Sequence, residues 1–99
     1  MMIQQQIEEK LQQAFEPDHL EVENESHKHR TERGAESHFR VVLVSDQFEG
    51  LRLLARHRAI NTILAQELAG PVHALALHTM TPAEWQAKGE QALRSPACR

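Results

Sequence analysis

Cysteine is nearly absent from this chain. Its 99 residues hold one, Cys98, against seven histidines. A single thiol forbids an internal disulfide and fits a reducing compartment, so a cytoplasmic location is expected. It also excludes an iron–sulfur cluster held by this chain alone, because such clusters are bound mostly by several cysteines. No apolar run approaches the roughly 18 residues that span a bilayer, and Met1 to Lys10 lacks the apolar stretch of a secretory signal. A membrane partner is therefore not expected. CxxC and helical HxxxH pairs are missing, which leaves a zinc site without support. GxSxG, the P-loop and GxGxxG are missing too, and catalysis is not expected.

What is present begins with charge. The net formal charge of −3 hides an asymmetry. Residues 1–50 carry 5 Lys/Arg against 11 Asp/Glu, and residues 51–99 carry 6 against 3. The acidic total argues against nonspecific coating of nucleic acid, while the basic half leaves room for a local anion-binding face.

Periodicity predicts one small domain over residues 1–94, with residues 95–99 as a frayed tail. Ile3, Ile7, Leu11, Ala14 and Phe15 recur at helical spacing, and Pro17 ends that helix by disfavouring helical geometry at Glu16. Leu20 and Val22 alternate with Glu21 and Glu23, the pattern of an edge strand with one wet face. Residues 24–37 form a long polar loop. His38 to Ser45 reads as a strand whose four consecutive apolar residues require burial on both faces, hence a central position. Gly50 marks a turn. A helix is predicted from about Leu51 to Ala69, with Leu53, Leu54, Ile60, Ile63, Leu64 and Leu68 as its core stripe and Arg52, Arg56 and Arg58 in its first half. Gly70 is expected as a left-handed cap and Pro71 as the breaker. Val72 to Leu77 is a third strand. Thr81, Pro82 and Glu84 spell a capping box that opens a last helix, with Trp85 packing back on the body.

The order is α-β-β-α-β-α. The loop allows the first two strands to pair antiparallel. The helical crossover makes the second and third parallel. The expected fold is therefore α+β, a three-stranded mixed sheet covered by helices.

The histidines divide by position. His73 and His78 are an odd number of residues apart, so in a continuous strand they point to opposite faces. His27 and His29 lie two apart in the loop and could converge. His38 begins the central strand and His57 sits between two arginines, both places that suit fold or surface roles. His19 follows a turn and looks incidental.

The stretch Glu36-Ser37-His38-Phe39-Arg40-Val41-Val42-Leu43-Val44-Ser45, then Phe48-x-Gly50, Arg56-His57-Arg58, Val72-His73-Ala74-Leu75-Ala76-Leu77-His78-Thr79 and Trp85 resembles the BolA family. The resemblance covers nearly the whole chain, and the Ser-Pro-x-Cys-Arg tail is similar to the bacterial morphogene-type branch. It implies a fold related to the class II KH domain, although the GxxG clamp of KH domains is missing here, so RNA binding does not carry over with the fold. It implies a partner, a monothiol glutaredoxin, with which such proteins share a bridging [2Fe–2S] cluster whose sulfur comes from the glutaredoxin and from glutathione. The family's ligand matches His73. Its variable loop ligand matches His29 by position, with His27 as a rival. Imidazole in place of thiolate on one iron is expected to raise the reduction potential, as in Rieske centres.

The resemblance also implies a transcriptional regulator of cell shape, biofilm, motility and stress response. In that role Phe48 to Ile60 corresponds to a helix-turn-helix-like region, and Arg52, Arg56, His57 and Arg58 meet promoter DNA. A purely iron-sensing or cluster-trafficking adaptor is the alternative. The free form is expected to be a monomer or a weak homodimer.

Overall fold

The computed structural model of the chain describes residues 3–25 and 38–88. The loop histidines His27 and His29 and the predicted tail boundary lie outside them. Helix α1 (Ile3–Phe15) buries Ile7, Leu11 and Phe15 at four-residue spacing, with Ile3 and Ala14 packed at the margin. It ends at Glu16, which adopts a φ of 46° immediately before Pro17. The chain then turns into β1 (His19–Asn24).

β1 pairs antiparallel with β2 (His38–Val44), and β2 pairs parallel with β3 (Ala74–Met80), in the order β1-β2-β3. β2 is thus central, and Val41 to Val44 are all at most 1% exposed. Alternation splits this run between two cores. Phe39, Val41 and Leu43 face α1 and helix α2 (Leu53–Ile63), joined by Val22, Phe48, Ile60, Leu64 and Val72. Val42 and Val44 face the other way and are covered by Met80 and Trp85. Trp85 belongs to α4 (Pro82–Ala87), which opens with the expected capping box at Thr81 and Glu84. Beyond that corner the second face carries Arg40, whose guanidinium spans Glu21, Glu23 and Glu25.

Four details differ from the sequence-based expectation. The long helix is two, α2 and α3 (Ala65–Ala69), broken at Leu64. The end of α2 carries Ile60, Asn61, Thr62 and Ile63, weak helix formers. Thr62 Oγ1 also donates back to Arg58 O at 3.0 Å, a bond that bends helices. The inward row of α2 is Arg56, Ile60 and Leu64. Leu53 and Leu54 are not core; they are 58% and 62% exposed. Leu54 lies two residues from Arg56, about 200° around the helix, and Leu53 stands in the opening turn. Gly70 is not left-handed, with φ −112° and ψ −118°; the left-handed glycine is Gly50, φ 80°. Finally, β3 runs to Met80 because its register with β2 pairs His38 with Ala74 and Val44 with Met80. Val72, expected to start the strand, is instead a core residue on the way in.

One buried hydroxyl fastens the layers. Ser45, fully buried, donates from Oγ to Phe15 O at 2.7 Å and accepts from Gln47 N at 3.1 Å, while its own N–H reaches Met80 O at 2.9 Å. Ser45→Ala strips the donor from a buried carbonyl at the end of α1. The expected cost is about 1–3 kcal/mol, read as a lower urea midpoint with an unchanged far-ultraviolet circular dichroism spectrum.

Candidate functional site

Parallel strands begin at the same end of a sheet. β2 opens with His38, and His73 immediately precedes β3, so the topology sets these two imidazoles side by side, with ring centroids 6.1 Å apart and planes tilted by 45°. His73 is exposed. Because it lies before the strand, the alternation rule used to separate it from His78 does not reach it. His78 sits within β3, half-buried opposite Val42. Burial pushes its imidazole below the usual histidine range, and the Arg40 charge adds to this. Among the described residues, no group of three or more His, Cys, Asp or Glu could hold a metal ion. His38 was assigned a fold role from sequence. Its proximity to His73 was readable from the parallel pairing already inferred.

The basic cluster separates into two kinds of residue. Arg52, in the N-cap position of α2, and Arg58 are exposed. Arg56 is withdrawn, 8% exposed, which removes it from the expected DNA-facing set. Its Nη1 and Nη2 donate to the two carboxylate oxygens of Glu84 at 2.7 and 3.1 Å, its Nε donates to Leu51 O at 2.9 Å, and Nη1 also reaches Thr79 O at 3.3 Å. Its Cζ lies 5.7 Å from the centre of the Phe48 ring. A guanidinium so committed has no donor fork left for a phosphate. The Nε2 of His57 is buried without a hydrogen-bond partner among the described residues, so it is turned away from any outer ligand. Leu51, Leu53 and Leu54 stand exposed around Arg52. The segment ahead of α2 is a single 3-10 turn, Asp46–Phe48, capped by Ser45.

His19, read as incidental, stacks on Trp85 with centroids 4.6 Å apart and contacts Glu21 at 2.7 Å. That contact is the main reason the Glu21 carboxyl lies below its usual range.

The family model described as "BolA-like protein" matches residues 11–84. The chain belongs to the BolA-like family. It is 56% identical over 99 residues to a "DNA-binding transcriptional regulator BolA" of Escherichia coli strain K12, spanning 100% of this chain and 94% of that protein. It is 53% identical over 97 residues to the protein of the same description from Vibrio cholerae, spanning 98% and 92%. The solution structure of BolA1 from Mus musculus superposes with a TM-score of 0.85 at 43% identity, covering 100% of this chain and 80% of that one. The described residues form a three-stranded mixed sheet with four α-helices, an architecture that matches this solved BolA-like structure. No described helix is long and apolar enough to cross a membrane.

Arg56→Ala removes four hydrogen bonds at once. It is expected to cost on the order of 2 kcal/mol, a modest figure because nearly half of Glu84 is open to solvent. Arg58→Ala should stay within about 0.5 kcal/mol. Urea midpoints of the two variants distinguish a structural from a surface arginine. The Arg56 hydrogen bond, followed by the Thr81 backbone donor, holds the Glu84 carboxyl below its usual range. This share of stability is complete above the ordinary glutamate range and is lost as the pH falls through the lowered folded value. Glu84→Gln should therefore lie furthest below the parent near neutrality and converge with it in acid, as followed by unfolding across pH.

Proposed function

We infer that this chain is a DNA-binding transcriptional regulator of the BolA type that also pairs with a monothiol glutaredoxin. The observation that carries the first half is the E. coli relative, alike over the whole chain and described by that activity. Two features support the second half. His73 is an exposed imidazole at the entrance to β3 with another imidazole beside it. The described surface offers nitrogen ligands but no thiolate, which fits a [2Fe–2S] cluster whose sulfur comes from the glutaredoxin and from glutathione.

In this reading the cluster would supply redox and iron-responsive chemistry to the pair. The role of this chain is to present His73, with His29 or His27 as the loop ligand. The parallel pairing of His38 with Ala74 fixes where the His73 backbone leaves the sheet. Promoter DNA would meet Arg52 and Arg58, the two exposed arginines at the start of α2, while Arg56 braces that helix from behind.

A second reading, an iron–sulfur adaptor with no direct DNA role, draws on the exposed Leu51, Leu53 and Leu54 around Arg52. Apolar side chains of that size suit a protein partner better than a phosphate backbone. One measurement tests the shared cluster and another separates the readings. Mixed with a cluster-loaded monothiol glutaredoxin, the parent should develop a heterodimer spectrum in visible circular dichroism. His73→Ala should change it, and an unchanged spectrum would remove His73 from the ligand set. For DNA, log affinity against log salt should lose about 0.9 of slope per phosphate contact removed. If Arg52→Ala with Arg58→Ala leaves that slope as it was, this face does not bind DNA, and a parent with no salt-dependent DNA affinity leaves the adaptor reading.

A further inference from the structure

The two outer strands of the sheet are protected very differently. On β1 the outward carbonyl of Val22 accepts a hydrogen bond from Gln4 Nε2 at 2.8 Å, and the strand carries Glu21 and Glu23. Bonded backbone and charge are the usual defences of an edge against added strands.

β3 lacks both over most of its length. Its direction of hydrogen bonding follows from two contacts. Ser45 N donates to Met80 O, so Met80 turns toward β2. Arg56 reaches Thr79 O from outside, so Thr79 turns away. Backbone groups alternate along a strand. Ala74, Ala76 and His78 therefore face β2, and Leu75 and Leu77 present their N–H and C=O groups outward. Among the described residues Arg56 closes this edge at Thr79 and no side chain bonds the outward groups of Leu75 or Leu77. The strand reads Ala-Leu-Ala-Leu-His-Thr-Met, without proline, lysine, arginine or carboxylate. The leucine side chains pack into the main core, and the other face shows Ala74 and Ala76, both exposed.

We propose that this edge pairs with the same edge of a second copy of the chain, antiparallel, about a two-fold axis at Ala76. Leu75 then lies opposite Leu77 of the second copy, and each such pair exchanges two main-chain hydrogen bonds. Ala76 meets its own symmetry mate at the closely spaced, non-hydrogen-bonded position. Ala74 meets His78. Small faces small and no like charges oppose each other, so the edge is complementary to itself, as an isologous contact requires. The Arg56 bond at Thr79 stops the pairing at both ends, which confines it to residues 74–78 and makes the dimer weak. The product is a continuous six-stranded sheet.

The register makes the test specific. At a non-hydrogen-bonded antiparallel pair, Cα atoms stand about 4.5 Å apart, within disulfide range. In a Cys98→Ser background, Ala76→Cys should form an intermolecular disulfide under mild oxidation. Ala74→Cys, whose symmetry mate lies about 14 Å along the strand, should form at least about tenfold less. The weight-average mass of the parent in sedimentation should rise with concentration from 11.3 kDa toward twice that value. Ala76→Lys, which sets two cations across the axis at an exposed position, should hold the mass at the monomer with an unchanged melting temperature. Equal cross-linking of Ala76→Cys and Ala74→Cys, or a monomeric parent at every concentration, overturns the proposal.

Discussion

A single guanidinium holds the far end of this fold together. Arg56 ties the loop carbonyl of Leu51, the strand carbonyl of Thr79 and the carboxylate of Glu84, and so connects the entrance of α2, the exit of β3 and the first turn of α4. Glu84 serves two purposes, since the same Oε1 that accepts from Arg56 also accepts from the Thr81 N–H at 3.0 Å. The capping box of α4 and the brace of α2 are thus one network. A six-residue helix has little stability of its own. Its position comes from this network and from Trp85 against Val42, Val44 and Met80.

That brace decides which side chains are left to act. With Arg56 turned inward, the row facing the core is Arg56, Ile60 and Leu64, and Leu54, about 200° from Arg56, is left at the surface. The exposed arginines of this segment are Arg52 and Arg58. A buried charge therefore sets the phase of the helix, and the phase sets the surface.

Much of the architecture was legible from local pattern. The four-residue apolar run from Val41 to Val44 gave away the central strand, because only a strand covered on both sides tolerates it. Thr81-Pro82-Ala83-Glu84 announced a helix start whose capping bonds lie within one turn. The crossover rule supplied the parallel pairing of β2 with β3. What local pattern missed depends on distance in sequence. Arg56 and Glu84 are 28 residues apart, and an arginine among arginines on an amphipathic helix carries no mark that one of them is buried. The same blindness put Leu54 in the core, since hydropathy does not record that an inward position is taken by a charge, and Leu53 is exposed because it stands in the opening turn. The break at Leu64 is a sum of weak propensities and one back-bonded threonine, too small a signal to outweigh a continuous apolar stripe. The pairing of His38 with His73 was the opposite case, a long-range contact already implied by two strands starting together.

The sheet is also a ruler. Because β2 and β3 run in the same direction, His38 and His73 mark one end, while Arg52 stands at the other, beyond Ser45. Between Ala74 and Met80 lie six residue rises, about 20 Å of strand. That is more than twice the screening length of about 8 Å at physiological ionic strength. A charge gained or lost at the exposed imidazole end is therefore nearly invisible, through solvent, to Arg52 at the entrance of α2. The two ends are electrostatically insulated, and any influence between them has to travel mechanically, along the strands to the carbonyl of Thr79 and through the guanidinium that grips it.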